Sequence, residues 1–351
     1  MRFTSAARML GAALLLAPAI VGAQSSATLV SVTDQNFSIS LQSLVSAAGN
    51  INTDPRYQTP VSPAYNGVGY VQMTSNLGTF ACTGSLLEDG KSVLTAAHCL
   101  KGGVGNVTSI LVAFYDSNGA FRVLSASGWD AHPLYSTKVM DENDIGVVHL
   151  TAEAPSTISR YKIFTGDATD RAFEFVGFGQ RGSFGAGVSA NGNFQLASRK
   201  QGENLFDLYA GDSRFTCPVG SPFCAPGSNF WNNVFGSSAG NVGHVLLTDF
   251  DSGLAANNGM CVLGQFTGDT NLGNSECQDG YGLNEAISGQ GDSGGPGFIN
   301  GMIASVTSFG ATFGSGVSDN DNALNSSFGE FAGFTDVAYH ASWIQSEMDL
   351  G

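Results

Sequence analysis

The sequence predicts an all-β chain of sandwich or barrel type that ends in one helix. Three observations predict it. From about Tyr65 onward, short apolar runs recur between Gly, Asn and Asp residues, the pattern of strands joined by turns. Glycine fills 47 of 351 positions and charged residues only 12%; the glycine share is about twice the usual ~7%. Helical spacing of apolar residues is clear only over Val337 to Met348, at Val337, Tyr339, Trp343, Ile344 and Met348.

In chain order, Arg2 and Arg8 precede the apolar run Met9 to Ile20, and Val21-Gly22-Ala23 offers small residues for cleavage. Residues 1–23 therefore read as a secretory signal peptide, the run being too short to span a bilayer. No later stretch is long and apolar enough to act as an anchor, so a soluble, secreted protein (extracellular or periplasmic) is expected. Residues 24–56 are rich in Ser, Asn and Thr and read as a propeptide or N-terminal extension, the propeptide being favoured. The main domain is expected over 57–351.

Expected strands include Gly69-Tyr70-Val71, Ser85-Leu86-Leu87, Ser92-Val93-Leu94, Ile110 to Tyr115 and Arg122-Val123-Leu124. Glu174 to Gly179, Gly243 to Thr248, Gly297-Phe298-Ile299 and Met302 to Thr307 continue them. The Gly-, Asn- and Ser-rich stretch from Ser183 to Gly282 reads as long surface loops. No repeat of solenoid period occurs.

Subtracting 29 Asp and Glu from 14 Lys and Arg leaves −15, which argues against nucleic acid or an anionic membrane as partner. Six cysteines in an exported chain read as three disulfides with fifteen possible connectivities. No C-x-x-C pair exists and no histidine stands at metal-ligand spacing from a cysteine, so no metal and no cofactor are expected.

The chemistry centres on Gly289-Gln290-Gly291-Asp292-Ser293-Gly294-Gly295-Pro296-Gly297, five of whose nine residues are glycine. A serine on such a backbone can approach another molecule closely, but its hydroxyl needs a base to become a nucleophile. Val93-Leu94-Thr95-Ala96-Ala97-His98-Cys99 supplies a histidine, and Asp144 opens the apolar run Ile145-Gly146-Val147-Val148. Asp144 is preferred over Asp141 and Glu142 because it abuts that run.

Two other motif matches fail on context. Gly291 to Gly295 fits G-x-S-x-G, but that hydrolase fold needs its histidine after the serine, where only His340 stands, and strand–helix alternation is missing. Gly177 to Gly182 fits G-x-G-x-x-G, but Ser183-Phe184-Gly185-Ala186-Gly187 cannot open the helix a dinucleotide site requires. Asp249 and Asp251 read as a solvated turn rather than a calcium site, and His132, His149 and His244 as structural or surface residues.

The order His98, Asp144, Ser293 is that of chymotrypsin. With Ala81-Cys82-Thr83-Gly84-Ser85-Leu86-Leu87, Asn143 to Val147, Gly291 to Pro296 and Thr307-Ser308-Phe309-Gly310, the chain resembles the chymotrypsin/trypsin family of serine proteases over roughly Tyr65 to Met348. The resemblance implies two packed antiparallel six-stranded β-barrels, about 65–165 and 172–336, with a C-terminal helix at about 337–348. It implies a monomeric secreted endopeptidase acting on protein or peptide substrates, with Ser293 as nucleophile, His98 as base and Asp144 as the group orienting His98. The N–H groups of Gly291 and Ser293 would form the oxyanion hole.

By the same resemblance Ile287 would floor the specificity pocket, and Ser308, Phe309 and Gly310 would line it and pair with substrate backbone. An isoleucine floor implies cleavage after uncharged, apolar residues. The implied disulfides are Cys82–Cys99, Cys217–Cys224 and Cys261–Cys277; Gly289 stands where the family often has a further cysteine. Many members are zymogens activated by a cut before Ile-Val-Gly-Gly, whose new ammonium pairs with the aspartate here numbered Asp292. No such stretch occurs near Arg56 to Val61, so Asp292 needs another partner or activation differs. The competing function is a catalytically silent, protease-like binding or adhesion module, which an intact triad disfavours.

Overall fold

The computed structural model describes residues 38–40, 42–59, 63–116, 121–188, 199–220, 224–267, 280–313, 318–321 and 323–350. The expected signal peptide at 1–23 and Cys277 lie outside them. Two short strands come first, β1 (Ser38–Ser40) and β2 (Gln42–Ser46). Next come β3 (Val68–Ser75), β4 (Gly78–Leu86), β5 (Ser92–Thr95), β6 (Val107–Tyr115), β7 (Phe121–Ala131) and β8 (Gly146–Leu150). These six close into a barrel in the order β3-β4-β5-β8-β7-β6, every pair antiparallel.

Alternation drives the closure. Val71 and Met73 on β3 and Ile110 and Val112 on β6 are buried while Gln72 and Leu111 between them are less so, as a period-2 strand facing one core requires. The turn into β5 is set by Asp89, whose carboxylate accepts from the Lys91 and Ser92 N–H groups at 3.1 and 3.0 Å, an Asx turn.

The second half contains β9 (Arg171–Gly177), β10 (Arg181–Gly182), β11 (Lys200–Phe206), β12 (Leu208–Tyr209), β13 (Val245–Asp249), β14 (Ala286–Gly289), β15 (Pro296–Ile299), β16 (Met302–Thr312) and β17 (Phe331–Asp336). It curls as an eight-stranded sheet, β11-β9-β15-β16-β17-β13-β12 with β1 added along β16. A separate three-stranded sheet runs β10-β2-β14. The all-β, chymotrypsin-like architecture is thus present, with a closed six-stranded barrel followed by a curled second sheet.

The described residues between 183 and 282 are not simply surface loops. β11 pairs with β9 along its whole length, and α1 (Phe230–Phe235) buries Phe230, Trp231, Val234 and Phe235 against Phe309, Phe313 and Phe331. A second helix, α2 (Gly259–Thr267), buries Met260 and Leu263 in the same cluster. The β11 pattern was obscured because its buried positions include Lys200 and Asn204. Asn204 is satisfied inside by donating to the Asp249 and Ala286 carbonyls at 2.9 and 3.0 Å.

The extension after residue 42 is built into the second core. Ile51 and Tyr57 are 1% exposed and cluster with Ile287, Phe175 and Phe206. The last helix, α3 (Ala341–Met348), starts four residues later than its apolar spacing suggests. Val337 N–H is tied to the Ala304 carbonyl at 3.0 Å and Asp336 accepts from Ala338 N–H at 3.0 Å, so the chain turns there before the helix begins. Ile344 on α3 and Val176, Phe298 and Val306 from the second sheet join the barrel's own core. The two halves therefore share one hydrophobic seam, along which the candidate site lies.

Candidate active site

His98 stands on a single 3₁₀ turn, Ala97–Cys99, directly after β5. The Cys82–Cys99 disulfide ties this turn to β4, with Cα atoms 6.4 Å apart. Asp144 lies 2% exposed just before β8. Its Oδ2 is 2.7 Å from His98 Nδ1 and its Oδ1 accepts from His98 N–H at 2.8 Å. The second contact sets the backbone of the histidine turn as well as its ring. Asp141 and Glu142 are committed elsewhere: Asp141 accepts from Ser136 and Asn143, and Glu142 from the N–H of His244.

Ser293 sits in the turn between β14 and β15. Gly291 has φ +99°, a conformation side chains resist, and a Cβ on Gly294 would come within 2.3 Å of the Thr83 carbonyl. Thr83 organises this turn from the barrel. Its N–H donates to the Ser293 carbonyl at 2.8 Å, and its hydroxyl donates to the Gly291 carbonyl at 2.9 Å. The sequence reading missed Thr83, because its partners lie more than two hundred residues downstream.

Peptide planarity orients the two expected oxyanion donors. In a trans peptide the C=O and N–H point in opposite directions. The Gln290 carbonyl accepts from Gln180 N–H at 2.9 Å and the Asp292 carbonyl from Gly295 N–H at 2.7 Å. The N–H groups of Gly291 and Ser293 are thereby turned the other way, and neither donates to another group among the described residues. His98 Nε2 is likewise buried without a hydrogen-bond partner.

Asp292 occupies a cradle made of glycine. It is 1% exposed, its Oδ1 accepts from Gly179 N–H at 2.8 Å and its Oδ2 from Gly289 N–H at 3.2 Å. A Cβ on Gly177 would lie 1.9 Å from Oδ1, so the Gly177-Phe178-Gly179 sequence makes room for a carboxylate rather than for a dinucleotide. Burial pushes this carboxyl up to about 6, while the two N–H groups and the charge of Arg181 pull it down.

The expected pocket residues are dispersed. Ser308 donates its hydroxyl to Asp144 Oδ2 at 2.5 Å. Phe309 turns its ring inward against Phe235 at 5.9 Å and is 2% exposed. Gly310 lies on β16 between Ser40 of β1 and Ala332 of β17. Ile287 is fully buried among Ala47, Ile51 and Tyr57, and the neighbouring Ser288 hydroxyl is buried without a partner.

Cys217 and Cys224 form a disulfide, and Cys261 is disulfide-bonded. Asp249 and Asp251 are buried at 4% and 1% exposure rather than lying in a solvated turn, and burial beside Asp251 pushes Asp249 up to about 7. His340 precedes α3, with its Nε2 2.7 Å from the Glu142 carbonyl. His132 packs edge-on against His340 and Trp343. Among the described residues no helix is long and apolar enough to cross a membrane.

The Trypsin family model matches residues 59–220. A solved structure of HL collagenase has the same fold at TM-score 0.50 and 16% identity, over 84% of this chain and 97% of that one. No curated protein matches the chain.

Proposed function

The chain belongs to the trypsin/chymotrypsin-like family, and on that premise we propose that it is a secreted serine endopeptidase with His98, Asp144 and Ser293 as its triad. The observation that carries this is the Asp144–His98 pair, closed on Nδ1 and left free at Nε2, beside a serine turn whose Gly291 and Ser293 N–H groups are unspent. In the reaction Ser293 Oγ attacks the scissile carbonyl as His98 Nε2 takes its proton. The negative charge on the carbonyl oxygen is met by the two N–H groups. His98 then gives its proton to the leaving amine, and water releases the acyl group by the same route. Asp144 holds the tautomer that presents Nε2 to the serine and stabilises the imidazolium.

Export through the 1–23 signal segment, action as a monomer and cleavage after uncharged residues complete the proposal. The disulfides suit an oxidising compartment. Latency before processing is supported by β1, which runs antiparallel to Gly310, Ala311 and Thr312 where substrate backbone would pair, and by Ser293 being only 3% exposed. A cut after Arg56 would strip β2, Ile51 and part of the second core, so the processing site is assigned to the chain upstream of β2.

The test is labelling of the processed protein by a fluorophosphonate probe, wild type beside Ser293→Ala. Labelling of the wild type alone supports the peptidase. Absence of labelling in folded, processed protein moves the assignment to the silent binding module.

A further inference from the structure

Three side chains that the proposed reaction does not use converge where β7, β8 and α3 meet. His149 Nε2 lies 3.3 Å from Asp130 Oδ2 and 3.4 Å from Glu347 Oε2. All three atoms lie within 4.8 Å of one another. Charge-assisted N–H···O bonds run to about 2.7–2.9 Å, shorter than either separation. Zinc bonds of about 2.0–2.1 Å in a tetrahedron set neighbouring ligand atoms about 3.3–3.4 Å apart. His149 and Asp130 meet at the long end of a hydrogen bond, and the two separations at His149 Nε2 match those of ligand atoms sharing a cation.

Glu347 gives an independent reason. It is 8% exposed, and its Oε2 has neither solvent nor a hydrogen-bond partner. A carboxylate oxygen sealed from water and held 3.4 Å from His149 Nε2 is short of the close partner that burial favours.

We propose that Asp130, His149 and Glu347 bind a zinc-class divalent ion, with water completing the tetrahedron. One imidazole nitrogen with two carboxylate oxygens suits zinc; calcium and magnesium prefer oxygen-only sets of higher coordination. The Asp130 side chain is 58% exposed, which leaves a route of entry and room for the water. The ion would clamp the C-terminal helix to the strand that follows Asp144, as a structural staple. This site stands whether or not the chain is a peptidase.

The full chain, stripped with a chelator and dialysed, is titrated with zinc chloride, with calcium and magnesium chlorides as controls. Bound metal and melting temperature are measured together. One zinc per chain is expected, with a melting point raised by a few degrees and no such shift from calcium or magnesium. His149→Ala is expected to lose affinity by at least about 100-fold and the exposed-site variant Asp130→Asn by about tenfold or more. Absence of saturable zinc binding by folded wild type overturns the proposal, as does binding that survives both substitutions or calcium acting as strongly as zinc.

Discussion

The hydroxyl of Ser308 donates to Asp144 Oδ2 at 2.5 Å, the same oxygen that lies 2.7 Å from His98 Nδ1. With the His98 N–H on Oδ1 at 2.8 Å, the buried carboxylate is held from three directions. Removing one donor to a buried charge costs about 1.5–3 kcal/mol, or roughly tenfold to a hundredfold in rate if the loss falls on the transition state. Ser308→Ala is expected to lower kcat by about that factor with KM and melting temperature little changed. Unaltered kcat would remove Ser308 from the catalytic geometry.

Asp144 and Asp141 separate function from structure. Asp144→Asn keeps the shape but presents the wrong tautomer of His98, and kcat is expected to fall by about 10⁴-fold in a protein that folds. Asp141→Asn weakens the Ser136 and Asn143 contacts, so its loss is expected in melting temperature. If Asp141→Asn were the more damaging change to kcat, the third triad member would be misassigned.

The contrast between what the sequence disclosed and what it concealed has a physical cause. The serine turn, the histidine turn and the aspartate strand are each local, so their glycines, cysteine and apolar run could be read along the chain. Thr83 acts on Gly291 across the molecule, and no local pattern reports such a contact. β11 was hidden because Lys200 and Asn204 occupy buried positions that a strand usually gives to apolar residues. Ile51 and Tyr57 were hidden because isolated apolar residues in a polar extension carry no period.

Buried carboxyls set the pH dependence of stability. Burial raises Asp249 to about 7 and Asp292 to about 6, from an ordinary value of about 3.9; Glu285 and Glu330 are pushed well up by burial too. The folded chain thus keeps protons that the unfolded chain releases, so stability is greatest at the acid end and falls as pH rises from about 4 to about 7. His340, lowered to about 4 by burial, opposes this, as do the lowered His132, Asp54 and Asp212. Asp319, Asp336, Glu203 and Glu347, raised by burial, act with the first four. The melting temperature is expected to be lower at pH 8 than at pH 5, and Asp249→Asn to narrow the gap by raising the pH 8 value. Equal or higher stability of the wild type at pH 8 would contradict the account.

On the proposed reading β14 borders the substrate pocket, and substrate preference is expected to follow from what that strand lacks. From Ala286 to Gly289, β14 carries no charge, and the adjoining Glu285 is fully buried and spent on the Asp251 N–H at 3.0 Å. A guanidinium entering here would be desolvated without a carboxylate, which is strongly unfavourable. An apolar-residue peptide ester is therefore expected to exceed an arginyl ester in kcat/KM by at least about tenfold. Ser288, whose buried hydroxyl has no partner, is the position at which to reverse it. Ser288→Asp is expected to raise arginyl turnover relative to apolar turnover, whereas an arginyl preference already in the wild type would refute an uncharged pocket.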